Sequence, residues 1–165
     1  MDGIEDRILR LEQRLRHAED KLAIYQLLAG YGPAIDGDCQ SDAARAWIED
    51  SVYDMDEKRF EGRANILAML EGDYARGLIK SGSGHVISMP HIVVDGDTAV
   101  ATCTSRLYRH AEGNFRVERV TANRWELVRT PQGWRVKRRT NRTLDGSKGS
   151  HALFKQAAGN NLVDT

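Results

Sequence analysis

The stretch HVISMPHIVVDGDTAVATC, residues 85–103, decides how the chain folds. From Gly84 onward the apolar residues recur at every second position, the period of a strand buried on one face. Asp95-Gly96 interrupts this alternation with a dipeptide that tolerates positive φ and favours a tight hairpin, so a strand runs out on each side of it. EGN at 112–114 and TPQG at 130–133 mark two further turns. The C-terminal half therefore reads as a meander of four long strands.

Upstream of the meander the period lengthens. Ile4, Ile8, Leu11, Leu15, Ala18, Leu22 and Tyr25 are spaced alternately by four and three, the seven-residue repeat of a coiled-coil seam. Three heptads alone are marginally stable in water, and we read the seam as a handle for a neighbouring subunit. The helix continues through KLAIYQLLAGYGPAI, where Gly30, Gly32 and Pro33 weaken and distort it, and it ends near Gly37. SDAARAWIED reads as a short amphipathic helix capped by Ser41. SVYDMD and KRFEG read as two short strands. GRANILAMLEGDYARGLI reads as a third helix that turns Ile66, Leu67, Met69 and Leu70 to the core. Leu153 and Phe154 sit on a short helix in the tail. Helices followed by a meander predict an α+β fold in which a curved antiparallel sheet wraps around about three helices.

Composition narrows the function. Lys plus Arg and Asp plus Glu are both 24, so the formal net charge is zero and no overall field draws nucleic acid or an anionic membrane. The basic run WRVKRRTNR, 134–142, puts Trp134, Val136 and Arg138 on one strand face, which we read as a solvated edge or a subunit contact. Cys39 and Cys103 form no CxxC pattern, and a reducing cytoplasm fits them. No apolar run reaches the roughly 20 residues of a membrane span, and no signal-peptide pattern opens the sequence. His85 and His91 are six residues apart, but Pro90 breaks the strand between them, so no metal site is expected.

The order of elements, the Tyr31-x4-Asp36 spacing at the end of the first helix, His85 at the start of the meander and the DGDTA hairpin together resemble the SnoaL-like branch of the nuclear transport factor 2-like superfamily. The resemblance covers residues 18–146, leaving 1–17 as a helical extension and 147–165 as a tail. It implies a cone whose sheet encloses a deep apolar cavity. Members include scytalone dehydratase, bile-acid dehydratases, hexachlorocyclohexane dehydrochlorinase, ketosteroid isomerases and polyketide cyclases, along with subunits of ring-hydroxylating dioxygenases. In the eliminating members an aspartate and a histidine at these places form a dyad, which maps onto Asp36 and His85, with tyrosines matching Tyr31 and Tyr53. His110 resembles a second histidine of scytalone dehydratase. Met89-Pro90 departs from the asparagine common in relatives and predicts a bulged strand.

The chemistry fits these residue types. Elimination needs a base that is neutral near pH 7, which imidazole supplies, and a carboxylate on its distal nitrogen fixes the tautomer. The expectations are His85 as base, Asp36 as its partner, and Tyr31 and Tyr53 as donors to a developing oxyanion. Tyr108, His110, Asn123 and Trp125 are expected to bind substrate, and Asp38 to face solvent. The expected activity is a lyase that needs no cofactor and dehydrates a hydrophobic cyclic or aromatic molecule within a homodimer or homotrimer. The alternatives are an isomerase or cyclase of a steroid- or polyketide-like substrate, and a non-catalytic or ligand-binding subunit in which Asp36 and His85 would lie apart.

Overall fold

Apolar heptads and the Tyr31–Asp36 segment belong to one element, α1 (Ile4–Asp36), a helix of 33 residues. The computed structural model describes residues 3–159. Pro33 lies in the last turn of α1, where its missing N–H removes one bond without ending the helix, and the Gly37 N–H closes onto the Pro33 carbonyl at 2.9 Å. From Ile4 on, the expected extension at 1–17 therefore continues without a break into the body, while residues 1 and 2 lie outside the described residues.

After α1, the helix expected over 41–50 shrinks to α2 (Gln40–Ala44), with Cys39 rather than Ser41 at its N-cap position. The chain is already in β1 (Trp47–Met55) from Trp47 onward. Trp47 is buried against Tyr31 and Trp125, and this tertiary packing overrides the local helical pattern. β2 (Lys58–Glu61) returns as a hairpin. The expected third helix is two, α3 (Arg63–Leu70) and α4 (Asp73–Ser81), because Gly72 adopts an extended conformation between them.

β3 (Ser83–Ile87), β4 (His91–Asp95), β5 (Thr98–Ala111), β6 (Asn114–Thr130) and β7 (Gly133–Thr143) complete the sheet, and α5 (Lys148–Gly159) follows. The strand order is β2-β1-β7-β6-β5-β3, with β4 also pairing to β5. Both β3 and β4 run antiparallel to β5; Ile87 faces Ser105 and His91 faces Thr102, so Ser88, Met89 and Pro90 stand opposite two residues as a bulge. The turn at 112–113 holds Glu112 and Gly113 at φ of 53° and 76°, the two left-handed residues that a tight primed hairpin requires.

Two features of the sheet differ from the sequence expectation. The sheet is mixed, because β1 pairs with β7 in parallel while its other pairings are antiparallel. Moreover, β7 lies inside the sheet between β1 and β6, and Trp134 and Val136 are buried beneath α1, so this basic run is not a solvated edge. Lys137 is a bulge residue: Val136 faces Leu127 and Arg138 faces Glu126, which moves Arg139 and Asn141 to the inner face. A second bulge at Glu118 separates the Leu107–Arg119 and Tyr108–Val117 pairs. Such bulges add local bend and twist, as a curling sheet requires.

Ile24, Leu28 and Ile35 of α1 pack on Trp47, Ala101, Trp125, Leu127 and Val136 of the sheet. Burial begins abruptly at Asp20, since every residue from Gly3 to Glu19 is exposed. Asp20 accepts two hydrogen bonds from Arg129, at 2.7 and 2.8 Å, and one from the Trp134 indole at 3.0 Å. These three bonds bind the helix to the ends of β6 and β7. α5 packs on β6 and β7 with Leu153 buried and Phe154 half-buried. The expected tail beyond Gly159 lies outside the described residues. Among the described residues no helix is long and apolar enough to cross a membrane.

The Arg129 hydrogen bonds hold the Asp20 carboxyl below its ordinary value, against the opposing effect of burial. A carboxylate depressed in the folded state contributes stability above its unfolded pKa and loses it as pH falls through the folded value. Asp20→Asn should therefore cost about 1–2 kcal/mol at pH 7. It should also flatten the fall in Tm below about pH 4, a difference that thermal melts of the two proteins at several pH values will measure.

Candidate active site

The end of α1 and the edge of the sheet meet at one carboxylate. Asp36 Oδ2 accepts the His85 backbone N–H at 2.6 Å, and Asp36 Oδ1 lies 2.6 Å from His85 Nδ1 and accepts the Ser83 hydroxyl at 2.8 Å. Ser83 and His85 are two apart on β3, so strand periodicity aims both at the helix. Burial alone would raise the Asp36 pKa, but the bonds from the His85 backbone, the His85 ring and Ser83 together hold it below the ordinary value. An ionised carboxylate only accepts, so Nδ1 carries the proton facing Asp36 and the neutral ring's lone pair lies on Nε2.

Close approach of α1 to β3 depends on Gly32, one turn before Asp36. A Cβ added there would fall 2.5 Å from the His85 carbonyl oxygen and 3.1 Å from the His85 Cβ. The glycine that the sequence presents as a helix weakener is thus the contact that admits the histidine.

His85 forms part of the wall of a cavity of about 730 Å³, within the range of small-molecule sites. Tyr31, Tyr53, Trp125 and Arg139 line it with His85, together with apolar side chains such as Met69, Leu70 and Leu107. The rings form a contiguous cluster. The Tyr31 centroid lies 5.5 Å from that of Trp125 and 6.0 Å from that of Trp47, which in turn stands 5.5 Å from Tyr53. Burial raises the Tyr31 phenol above its ordinary value, with the Arg139 charge opposing the shift.

Arg139 escaped the sequence reading. It is buried at 7% exposure, with its guanidinium 4.1 Å from the Trp125 ring centroid, 4.8 Å from Tyr53 and 5.5 Å from Tyr31. Nε and Nη2 donate to Asn123 Oδ1 at 2.9 and 2.7 Å, a neutral amide rather than a carboxylate. A cation this buried carries a desolvation cost of several kcal/mol that aromatic faces offset only in part. No local signal marks the bulge at Lys137, so counting by twos grouped Arg138, not Arg139, with Trp134 and Val136.

The structure gathers His85, Tyr31, Tyr53 and Trp125 around one cavity, and Asp36, not itself in its wall, bonds the His85 ring. Asn123 is fully buried behind it as a brace: its Oδ1 holds Arg139, and its Nδ2 donates to Ser105 at 2.9 Å and to Thr121 Oγ1 at 3.1 Å. Tyr108 and His110 are corrected, since neither lines the cavity. The inner face of β5 is the odd-numbered set Ala99, Ala101, Cys103 and Leu107, and these two even-numbered residues do not belong to it. The His110 ring packs instead near Phe115, with centroids 5.2 Å apart. Asp38 is exposed and accepts a bond from Gln40 at 2.9 Å. No described residue of α5 lines the cavity.

Gly32→Ala tests how the histidine is held. We expect it to lower stability by about 1–3 kcal/mol and to shift the His85 ring resonances in an NMR spectrum, whereas Gly30→Ala, whose Cβ meets open space, leaves them in place.

Comparison with known proteins agrees with this architecture. An NTF2-like protein with a cystatin-like fold from Novosphingobium aromaticivorans is similar over 93% of this chain and 97% of its own, at 40% identity and a TM-score of 0.86. A candidate scytalone dehydratase from Novosphingobium aromaticivorans DSM 12444 is similar at 20% identity over 81% of this chain and 87% of its own, with a TM-score of 0.65. A candidate aromatic ring hydroxylase from the same species is similar at 22% identity over 77% and 90%, with a TM-score of 0.60. No curated protein sequence matches the chain. Residues 16–140 match the SnoaL-like domain, and the chain belongs to the SnoaL-like family of the NTF2-like, cystatin-like α+β fold.

Proposed function

We propose that the protein is a lyase that eliminates water from a hydrophobic cyclic or aromatic alcohol by proton transfer through His85. The observation that carries this reading is the 2.6 Å contact between Asp36 and His85 on the wall of a cavity large enough for a ring system. A dyad held apart or buried in a solid interior would favour a binding module instead.

The charges support a sequence of steps. His85 Nε2 takes a proton from the carbon next to a carbonyl, and the C–H electron pair moves toward the carbonyl oxygen. Asp36 stabilises the imidazolium as it forms. The oxyanion is met by Arg139, whose bonds to Asn123 leave guanidinium N–H groups for a ligand, and by the Tyr31 and Tyr53 hydroxyls. Return of the electrons forms the new C=C bond and breaks the β C–O bond, while the imidazolium gives its proton to the departing hydroxyl. Water leaves, and His85 is neutral again. Proton transfer of this kind needs no metal or organic cofactor, and the buried aromatic cluster around Arg139 strengthens its charge interaction with an oxyanion.

The test is an absorbance screen of dehydratable phenolic and steroid-like alcohols, read as the gain of conjugation. With a substrate in hand, His85→Ala should reduce kcat by at least about 100-fold with the folded circular dichroism spectrum retained. Arg139→Gln should reduce it by about 100- to 1,000-fold, and Asp36→Asn should impair it. Full turnover in His85→Ala rejects the base, and full turnover in Arg139→Gln rejects the oxyanion contact.

A further inference from the structure

The first turns of α1 project from the body with every residue exposed from Gly3 to Glu19, a rod of about 25 Å at 1.5 Å per residue. Ile4, Ile8, Leu11 and Leu15 on it, and Leu22 just beyond it, are 49–76% exposed. Heptad positions a are Ile8, Leu15 and Leu22, and positions d are Ile4, Leu11, Ala18 and Tyr25. The flanking positions are sorted by charge. Each g position is basic, Arg7, Arg14 and Lys21, and the e positions Glu5, Glu12 and Glu19 are acidic.

This sorting distinguishes a parallel from an antiparallel pairing of two such helices. In a parallel pair, g of one helix meets e of the next heptad on its partner, so Arg7 faces Glu12 and Arg14 faces Glu19, twice over by symmetry. In an antiparallel pair g meets g and e meets e, which sets arginine against arginine and glutamate against glutamate. We infer that α1 is a parallel, two-stranded coiled coil with a second copy of this chain, aligned in register through the Ile4–Tyr25 seam.

The body permits this arrangement. Asp20, Ile24, Leu28 and Ile35 face the chain's own sheet, while Leu22 and Tyr25 lie on the other side of the helix, roughly 140° around it at 100° per residue. The two bodies then sit on opposite flanks of the paired helices, each with its own Asp36 at the end of the rod. Three heptads are marginal alone, but each helix is already fixed in its helical state by the body from Asp20 onward, which removes the nucleation cost. The pairing rests on the seam and not on the catalytic reading, and either can fail without the other.

Light scattering of the full chain over a dilution series should give the mass of two chains at low salt. Arg7→Glu with Arg14→Glu should weaken dimerisation by at least about 100-fold, and adding Glu12→Arg with Glu19→Arg should restore it. Ile8→Cys in a Cys39→Ser background should oxidise to a disulfide-linked pair, because equivalent a positions face each other only in the parallel register. Circular dichroism checks that the variants remain helical. A monomeric or three-chain mass, an unlinked Ile8→Cys protein, or a charge reversal without effect on mass each overturns the proposal.

Discussion

One carboxylate joins the two halves of this fold. Asp36 stands at the end of a 33-residue helix and receives three hydrogen bonds from β3, from the His85 backbone, the His85 ring and Ser83. These bonds dock the helix end against an edge strand whose own neighbour on that side is the helix rather than another strand. The same bonds set the imidazole tautomer. Docking and, on the reading proposed above, proton transfer therefore depend on one contact, and its tightness depends on Gly32, where a single methyl group has no room.

The rest of the cavity is organised around a different physical problem, a buried guanidinium with no carboxylate partner among the described residues. Arg139 is held by a neutral amide and surrounded by aromatic faces, an arrangement that keeps its charge available instead of neutralising it. Asn123 carries that load through bonds to Arg139, Asn141, Ser105 and Thr121, so one buried amide fixes the site's cation across three strands. On the reading proposed above, proton abstraction then divides charge into two compensated pairs, imidazolium with Asp36 and oxyanion with Arg139. Neither pair needs reorganised solvent.

Period and turn chemistry made much of this architecture legible. Alternation by two after Gly84, the Asp95-Gly96 turn and the EGN and TPQG turns locate the meander, because strand register and primed turns are written in local residue types. The spacing of Tyr31, Asp36 and His85 picked out groups that the fold brings together, Tyr31 and His85 in one cavity wall and Asp36 on the His85 ring. Packing decided the remainder. Trp47 draws its segment into a strand in place of a helix, and the parallel pairing of β1 with β7 has no local marker. The bulge at Lys137 exchanged Arg138 for Arg139, and the choice of inner face on β5 turned Tyr108 and His110 away.

The sequence by itself determined the period of each element, the positions of the turns, and the heptad seam with its sorted charges, since these depend on neighbours within a few residues. Only the tertiary structure decided which face of each strand looks inward, because a one-residue bulge reverses that face at little local cost. It also decided that a glycine in a helix serves a histidine 53 residues away. Contacts between elements distant in sequence obey shape and burial, and no short stretch of the chain records either.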